Sequence, residues 1–177
     1  MNVEDRKPRE AGVKRAVNDD SPDNPPMNYT VKVPSAIAAI PEPELDRRVV
    51  FTLDQCVIDS KAFYIRGRIP VPVIGRDEPF IWGVRAQVSE PDFARTNQMW
   101  HREGREAEPP YRGWLNTPIP IYPSTLNLEL RILTQVVGRR PHFELTDATH
   151  PLTVEQRNGI TMERVKEIAQ ALRNSKI

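Results

Sequence analysis

The sequence predicts an α+β domain whose mostly antiparallel sheet of about five strands carries helices on one face, behind a disordered N-terminal tail. Three patterns support this. Several segments alternate apolar and polar residues, which is the period of a strand with one buried face. The C-terminal segment carries apolar residues at helical spacing. Residues 1–30 are polar, charged and rich in proline, so we predict a tail over residues 1–30 and one domain over residues 31–177.

The strand segments are separated by short turns, which favours hairpins and hence antiparallel pairing. Alternation is clearest over residues 63–73, 80–88 and 126–132, and shorter strands are predicted at residues 55–59 and 142–145. Pro70 and Pro72 cannot donate to a ladder. We therefore expect the second half of the strand over residues 63–73 to lie at an edge or beyond regular pairing.

Helix signals lie between and after these strands. A short helix is predicted near residues 44–51, and Ser89 is a good N-cap for a helix that ends near Arg102. Two more helices are predicted at the end, one over residues 151–158 and one capped by Thr161. Residues 104–123 read as an irregular proline-rich loop that includes Trp114.

Charge and composition limit the classes of function. The 25 basic and 24 acidic residues nearly cancel, which argues against a dedicated nucleic-acid binder. Cys56 is the only cysteine, so no internal disulfide and no oxidising compartment is implied. We find no apolar run long enough for a membrane helix and no signal peptide, and we expect a cytoplasmic protein without a membrane partner.

Several strings of residues match a known bacterial family in order. They are Asp54-Gln55-Cys56-Val57-Ile58-Asp59, Phe63-Tyr64-Ile65-Arg66-Gly67, Phe80-Ile81-Trp82-Gly83-Val84, Ser89-Glu90, Leu115, Pro120, Tyr122-Pro123, Arg140-Pro141, His150-Pro151-Leu152 and Glu155-Gln156-Arg157-Asn158-Gly159-Ile160. The chain resembles the family called domain of unknown function 2199, which is uncharacterised. Many members carry an N-terminal Cys-x-x-Cys segment that looks like half of a zinc site. This chain lacks that segment, so the resemblance implies no zinc.

Cys56, His150 and Glu155 are the candidate catalytic residues. A thiolate beside an imidazole is an activated nucleophile, so Cys56 and His150 suggest a small hydrolase. However, Cys56 lies in an apolar strand, where a cysteine is usually inert. His150, Glu155 and Arg157 surround the start of a short helix, where they form either an anion site or a structural capping cluster, and we favour the second. The spacing of histidines and the lone cysteine predict neither a metal site nor a cofactor.

The candidate binding residues are mainly arginines. They are Arg66, Arg68, Arg85, Arg157 and Trp114. Three of the arginines project from strands on the predicted polar face, and arginine binds phosphate, carboxylate and acidic surfaces. Arginines and aromatic residues are also common at binding hot spots. Our leading hypothesis is a soluble binding module for an unknown protein or a small anionic ligand, and the alternative is the hydrolase.

Overall fold

The computed structural model describes residues 13–15, 24–31 and 33–175. Its strands are β1 (Val13–Arg15), β2 (Asn28–Val31), β3 (Val49–Phe51), β4 (Gln55–Ile58), β5 (Ala62–Val71), β6 (Phe80–Val88), β7 (Tyr111–Leu115), β8 (Glu129–Leu133) and β9 (His142–Leu145). Its α-helices are α1 (Leu45–Arg48), α2 (Glu90–Gln98), α3 (Pro151–Asn158) and α4 (Met162–Asn174). Short 3₁₀ turns cover Ser35–Ala39, Glu42–Glu44 and Arg105–Ala107. None of the described helices combines the length and apolarity needed to cross a membrane.

Strands β5 to β9 close into a five-stranded barrel. Each strand pairs antiparallel with the next, and β9 returns to β5. In a chain that reverses at every step, the first and fifth strands run in the same direction, so an odd-numbered ring must close with one parallel pair. That pair, β5–β9, has a single register position, Arg68 opposite His142. The closing seam is therefore the least bonded part of the ring.

The remaining strands extend the sheet on both sides of the barrel. On one side, β4 and β3 continue from β5. On the other side, β6 is longer than β7, which pairs only with the end of β6 from Ala86 to Val88. Strand β2 occupies the free half of this edge, running parallel to β6, and β1 pairs with β2. Tyr29 of β2 is buried and its ring centroid lies 5.8 Å from those of Phe80 and Trp82.

These observations refine the predicted architecture. The mixture of helices with a mostly antiparallel sheet is confirmed, but the sheet has nine described strands and closes on itself instead of forming an open sheet of about five. Alternation identifies strands, whereas closure depends on partners far apart in sequence. Strand β2 begins at Asn28, inside the segment 1–30 that the sequence predicts as a tail. The other residues of that tail lie outside the described part, apart from 13–15 and 24–27.

Side chains complete the seam where main-chain pairing stops. The carboxamide of Gln156 on α3 bonds both edge groups of β9, donating to Phe143 O at 2.7 Å and accepting from Leu145 N at 2.9 Å. The Phe143 ring also lies over Gly67 of β5, where an added Cβ would come within 2.2 Å of the ring. At the seam, the Gln156 side chain therefore forms hydrogen bonds that a neighbouring strand would otherwise form, and Gly67 leaves room for the Phe143 ring.

Most of the predicted helix starts are confirmed. Ser89 accepts from Asp92 N at the start of α2, and Thr161 accepts from Arg164 N at the start of α4. The helix expected over residues 44–51 is only the four-residue α1, because Val49–Phe51 pairs as β3 with β4. Its β-branched and aromatic residues suit a strand better than a helix.

The segment over residues 104–123 is more regular than predicted. It contains a 3₁₀ turn at Arg105–Ala107 and the barrel strand β7, which includes Trp114. Prolines at 109, 110 and 118 bound this five-residue strand without entering it. The flanking prolines therefore made this segment look like a loop in the sequence. Trp114 lies in strand β7 and not in a loop.

Candidate functional site

The structure contains a cavity of about 330 Å³ beside the closing seam of the barrel. Arg68, which pairs with His142 at the seam, lines this cavity. Pro141 lines it as well, and its carbonyl accepts a hydrogen bond from Arg68 N at 2.9 Å. The other lining residues are Asp54, Ile65, Thr96, Trp100, His101, Arg105, Tyr111, Ile132, Thr134, Gln135, Val137, Gly138, Arg139 and Arg140. Four arginines and one carboxylate therefore face the same small space.

Three parts of the fold bring these arginines together. Alternation along β5 places Ile65 in the barrel core and Arg66 and Arg68 on the opposite face, as predicted. The loop between β8 and β9 carries Arg139 and Arg140 directly after Gly138, whose φ of +83° suits glycine at a sharp turn. The short turn between β3 and β4 supplies Asp54.

Arg105 holds the loop that carries Arg139 and Arg140. The residue is 6% exposed, and its guanidinium donates to the carbonyls of Gln135 at 2.8 Å, Val136 at 3.1 Å and Arg139 at 2.8 Å. It also donates to Trp100 O at 2.9 Å. Because these bonds satisfy most of its five N–H donors, Arg105 acts as a structural clamp and not as a free cation.

The single carboxylate of the pocket neutralises only part of the charge. Asp54 Oδ1 accepts from Arg140 Nε at 2.6 Å, and both side chains are about three-quarters buried. Among the described residues, Arg68 and Arg139 form no ion pair with any carboxylate. The pocket therefore keeps two guanidinium groups without a protein counter-ion in this part of the chain.

The pKa values of the neighbouring groups reflect this excess of positive charge. Burial lowers the pKa of the Arg68 guanidinium, and the charges of Arg140 and Arg139 lower it further. The pKa of Arg66 is lowered by burial and by Arg140 and Arg68, which outweigh the opposite effect of Asp54. Burial also lowers the pKa of His142, with Arg68 and Arg139 acting in the same direction. An anion in the cavity would relieve this repulsion.

The other predicted binding residues lie elsewhere. Arg85 is 1% exposed, so its prediction as a surface residue is wrong: the turn after β3 covers it, and its guanidinium donates to Leu53 O at 2.9 Å and lies 4.7 Å from the centre of the Phe51 ring. Burial is the main cause that lowers the pKa of Arg85 to about 10. Trp114 lies on β7 beneath Arg112, at 5.4 Å, and does not line the cavity.

Arg157 lines a second, larger cavity of about 730 Å³, which also includes residues of β8 and β9. Arg131 and Glu144, which pair at 3.1 Å, line the same cavity together with His142. Charges of both signs therefore face this space. Arg157, which the sequence placed beside His150 and Glu155, therefore lies apart from the cavity that Arg68 lines.

The candidate catalytic residues do not form a common site. Cys56 is fully buried in a small apolar cluster with Val33, Ile37, Ile58 and Tyr64, and burial raises the pKa of its thiol to about 11. His150 caps α3, where its Nδ1 accepts from Leu152 N at 3.2 Å. The His150 ring lies beside Tyr122 and Pro123, and neither belongs to the cluster around Cys56.

Glu155 belongs to a structural network near the start of α4. Its carboxylate accepts from Tyr122 Oη at 2.5 Å and from Arg164 Nε at 2.8 Å. Burial, reinforced by Glu155, raises the pKa of Tyr122. Arg164 pairs in turn with Glu167 at 3.2 Å. These contacts tie α3 and α4 to the segment after β7, and the arginine that pairs with Glu155 is Arg164 and not Arg157.

Sequence reasoning missed Arg105, Arg139 and Arg140 as members of the site. Residues 137–141 have the composition of a turn, and a turn of that kind is normally solvated. The signal available in the sequence was the adjacent pair Arg139 and Arg140, because two neighbouring positive charges after a glycine turn repel each other unless an anionic partner is present. Only the clamp from Arg105 shows that this turn has a fixed position.

The comparisons with known proteins identify the family and leave the activity open. No curated protein and no solved structure matches the chain. The sequence model of a bacterial family matches residues 18–160, which is most of the chain. The chain therefore belongs to the family described as an uncharacterized protein conserved in bacteria, domain of unknown function 2199.

Proposed function

We propose that this protein is a binding module for a small anionic ligand, which it holds in the arginine-lined cavity beside the barrel seam. The observation that carries the proposal is the convergence of four arginines and one carboxylate on about 330 Å³. A cluster of like charges stores repulsion, and it persists only where the fold enforces it. An anion that releases this repulsion on binding gains affinity from it.

The state of the individual arginines supports the same function. Arg68 and Arg139 lack a carboxylate partner in the described chain, so a ligand need not displace a protein anion from them. The clamp from Arg105 fixes the loop of Arg139 before any ligand arrives. Preorganised donors reduce the entropy lost on binding. Arginine also presents paired N–H groups that match carboxylate and phosphate oxygens.

The test is calorimetric titration with inorganic phosphate and with acetate at low ionic strength. We expect saturable binding of at least one anion, weakened by salt. Arg68→Gln and Arg139→Gln each remove a charge-assisted hydrogen bond worth about 1.5–3 kcal/mol, so each should weaken binding roughly tenfold or more. Arg173→Gln on α4 is the matched control, since Arg173 is exposed and does not line the cavity. Equal effects of all three variants would reject the pocket as the site.

The hydrolase alternative is not favoured by any contact described above. It requires a reactive thiol beside an imidazole, whereas Cys56 and His150 have separate surroundings. A protein partner for an Arg and Trp surface receives less support, because Arg85 is buried and Trp114, which is exposed beneath Arg112, does not line the cavity that Arg68 lines. The cytoplasmic location and the absence of a nucleic-acid partner stay predictions from composition.

A further inference from the structure

We propose that the anion bound in this cavity is amphipathic, with an oxyanion joined to a compact aromatic or branched apolar group. This inference rests on the proposed anion-binding function and narrows its ligand class. The oxyanion contacts Arg68 and Arg139, and the apolar group contacts Trp100, Tyr111 and Val137, which line the same cavity. Carboxylates and phosphate monoesters share this chemistry.

The apolar wall carries the argument. Val137 lines the cavity and is 40% exposed, so its side chain presents apolar surface there, whereas Ile65 and Ile132, at 3% and 1% exposed, add almost none. Trp100 and Tyr111 line it as well, and both are partly buried. A site for a hydrated inorganic ion gains nothing from such a lining. A ligand with an apolar part gains affinity from removing this surface, and its own, from water.

Polar and apolar groups are also arranged so that one molecule can use both. The arginines belong to β5 and to the loop between β8 and β9, and Val137 lies in that same loop. Trp100 follows α2 and Tyr111 begins β7. Pockets that bind small molecules typically combine an apolar lining with a few oriented polar groups.

The size of the cavity limits the apolar group. At about 330 Å³, it lies near the lower end of the range for small-molecule sites. This is the volume of about ten liquid water molecules. One six-membered ring with a charged substituent fits within this volume. We therefore expect an anion with a single ring or a short branched chain.

Val137 provides a position at which the apolar contact can be tested without disturbing the core. It lines the cavity and is 40% exposed, so a polar residue there is tolerated by the fold. Val136 is the matched control, because it is 50% exposed in the same loop but does not line the cavity. Each valine is changed to serine.

The experiment compares two pairs of anions by calorimetric titration of the full chain: acetate with benzoate, and inorganic phosphate with phenyl phosphate. Within each pair the charged group is kept and a ring is added. We expect the ring to tighten binding about tenfold or more. Benzamide, which keeps the ring without the charge, should bind at least tenfold more weakly than benzoate. The relative affinities of the two pairs identify the preferred oxyanion.

The outcomes separate this inference from the proposed function. If acetate or phosphate binds and the ring adds no affinity, the amphipathic ligand is rejected while the anion site stands. If none of the anions binds, both are rejected. Val137→Ser should weaken binding of the aromatic anions about threefold and leave acetate and phosphate unchanged, whereas Val136→Ser should change neither. Equal effects of the two serines on benzoate would overturn the assignment of the ring to this wall.

Discussion

Replacement of Arg105 by alanine should destabilise the protein and also abolish anion binding in the cavity. Arg105 is 6% exposed, and its side chain donates to four main-chain carbonyls, those of Trp100, Gln135, Val136 and Arg139. Three of these belong to the loop that carries the pocket arginines. Removal of the guanidinium therefore releases this loop from the segment that follows α2.

The size of the effect follows from these bonds. Hydrogen bonds from a charged donor contribute roughly 1.5–3 kcal/mol each, which would give an upper bound near 6–12 kcal/mol for four. Most of that is recovered, because the loop is at the surface and its carbonyls can turn to water once the side chain is gone. We therefore expect Arg105→Ala to lower the free energy of unfolding by about 2–4 kcal/mol.

Urea denaturation followed by circular dichroism measures this change, with phosphate titration as the second readout. Arg105→Lys should recover only part of the loss, since an ammonium group has three donors and lacks the planar fork. Arg102→Ala is the control, because Arg102 is exposed and close in sequence. A loss below about 0.5 kcal/mol for Arg105→Ala, which is the range of ordinary surface substitutions, would refute the clamp.

Four further predictions concern the seam, the thiol and two histidines. Gly67→Ala should cost about 1–3 kcal/mol in urea denaturation, because the new methyl group would lie 2.2 Å from the ring of Phe143. Cys56 should react with an alkylating reagent at pH 8 only after unfolding, because burial raises the pKa of its thiol to about 11. His150→Ala should cost about 1 kcal/mol and His150→Asn should recover most of it, because asparagine also caps helices. The pKa of His142 is lowered in the folded state, so the unfolded chain takes up the proton first. Stability measured by urea denaturation should therefore fall as the pH falls from about 6.5 towards the folded pKa, and His142→Gln should remove this slope.

Each of these predictions has a result that would contradict it. Shortening the ring by Phe143→Leu should partly rescue Gly67→Ala, and an absent rescue would show that the clash has another source. Rapid native alkylation of Cys56 would contradict its burial. If His150→Asn were as unstable as His150→Ala, the imidazole would have a role other than capping. An unchanged pH slope in His142→Gln would assign the titration to another group.

The sequence was informative where structure depends on neighbouring residues. Alternation located β5 and β6, and the caps at Ser89 and Thr161 followed from short-range hydrogen bonds. Closure of the barrel was not predictable, because it depends on β9 meeting β5 more than 70 positions earlier in the chain. No local pattern distinguishes a hairpin that ends an open sheet from one that completes a ring.

The candidate site was only partly predictable for the same reason. Arg68 was identified correctly as a residue on the outer face of β5, since alternation fixes its direction. Alternation gave the same direction for Arg85, but the turn between β3 and β4 covers that part of the sheet and buries it. Burial by a distant segment is a tertiary property. Arg139 and Arg140 gained their importance in the same way, through the contacts of Arg105.

The single bridge between β5 and β9 also determines how the barrel can open. Every other neighbouring pair in the ring shares at least three register positions, so separation at this bridge breaks the fewest main-chain hydrogen bonds. Local opening of a fold follows its least bonded boundary, and amide hydrogen exchange reports it. Because the arginine-lined cavity lies at that boundary, a ligand of the proposed kind would contact residues on both sides of it. A molecule that fills the cavity would then hold together two strands that share only one main-chain bridge.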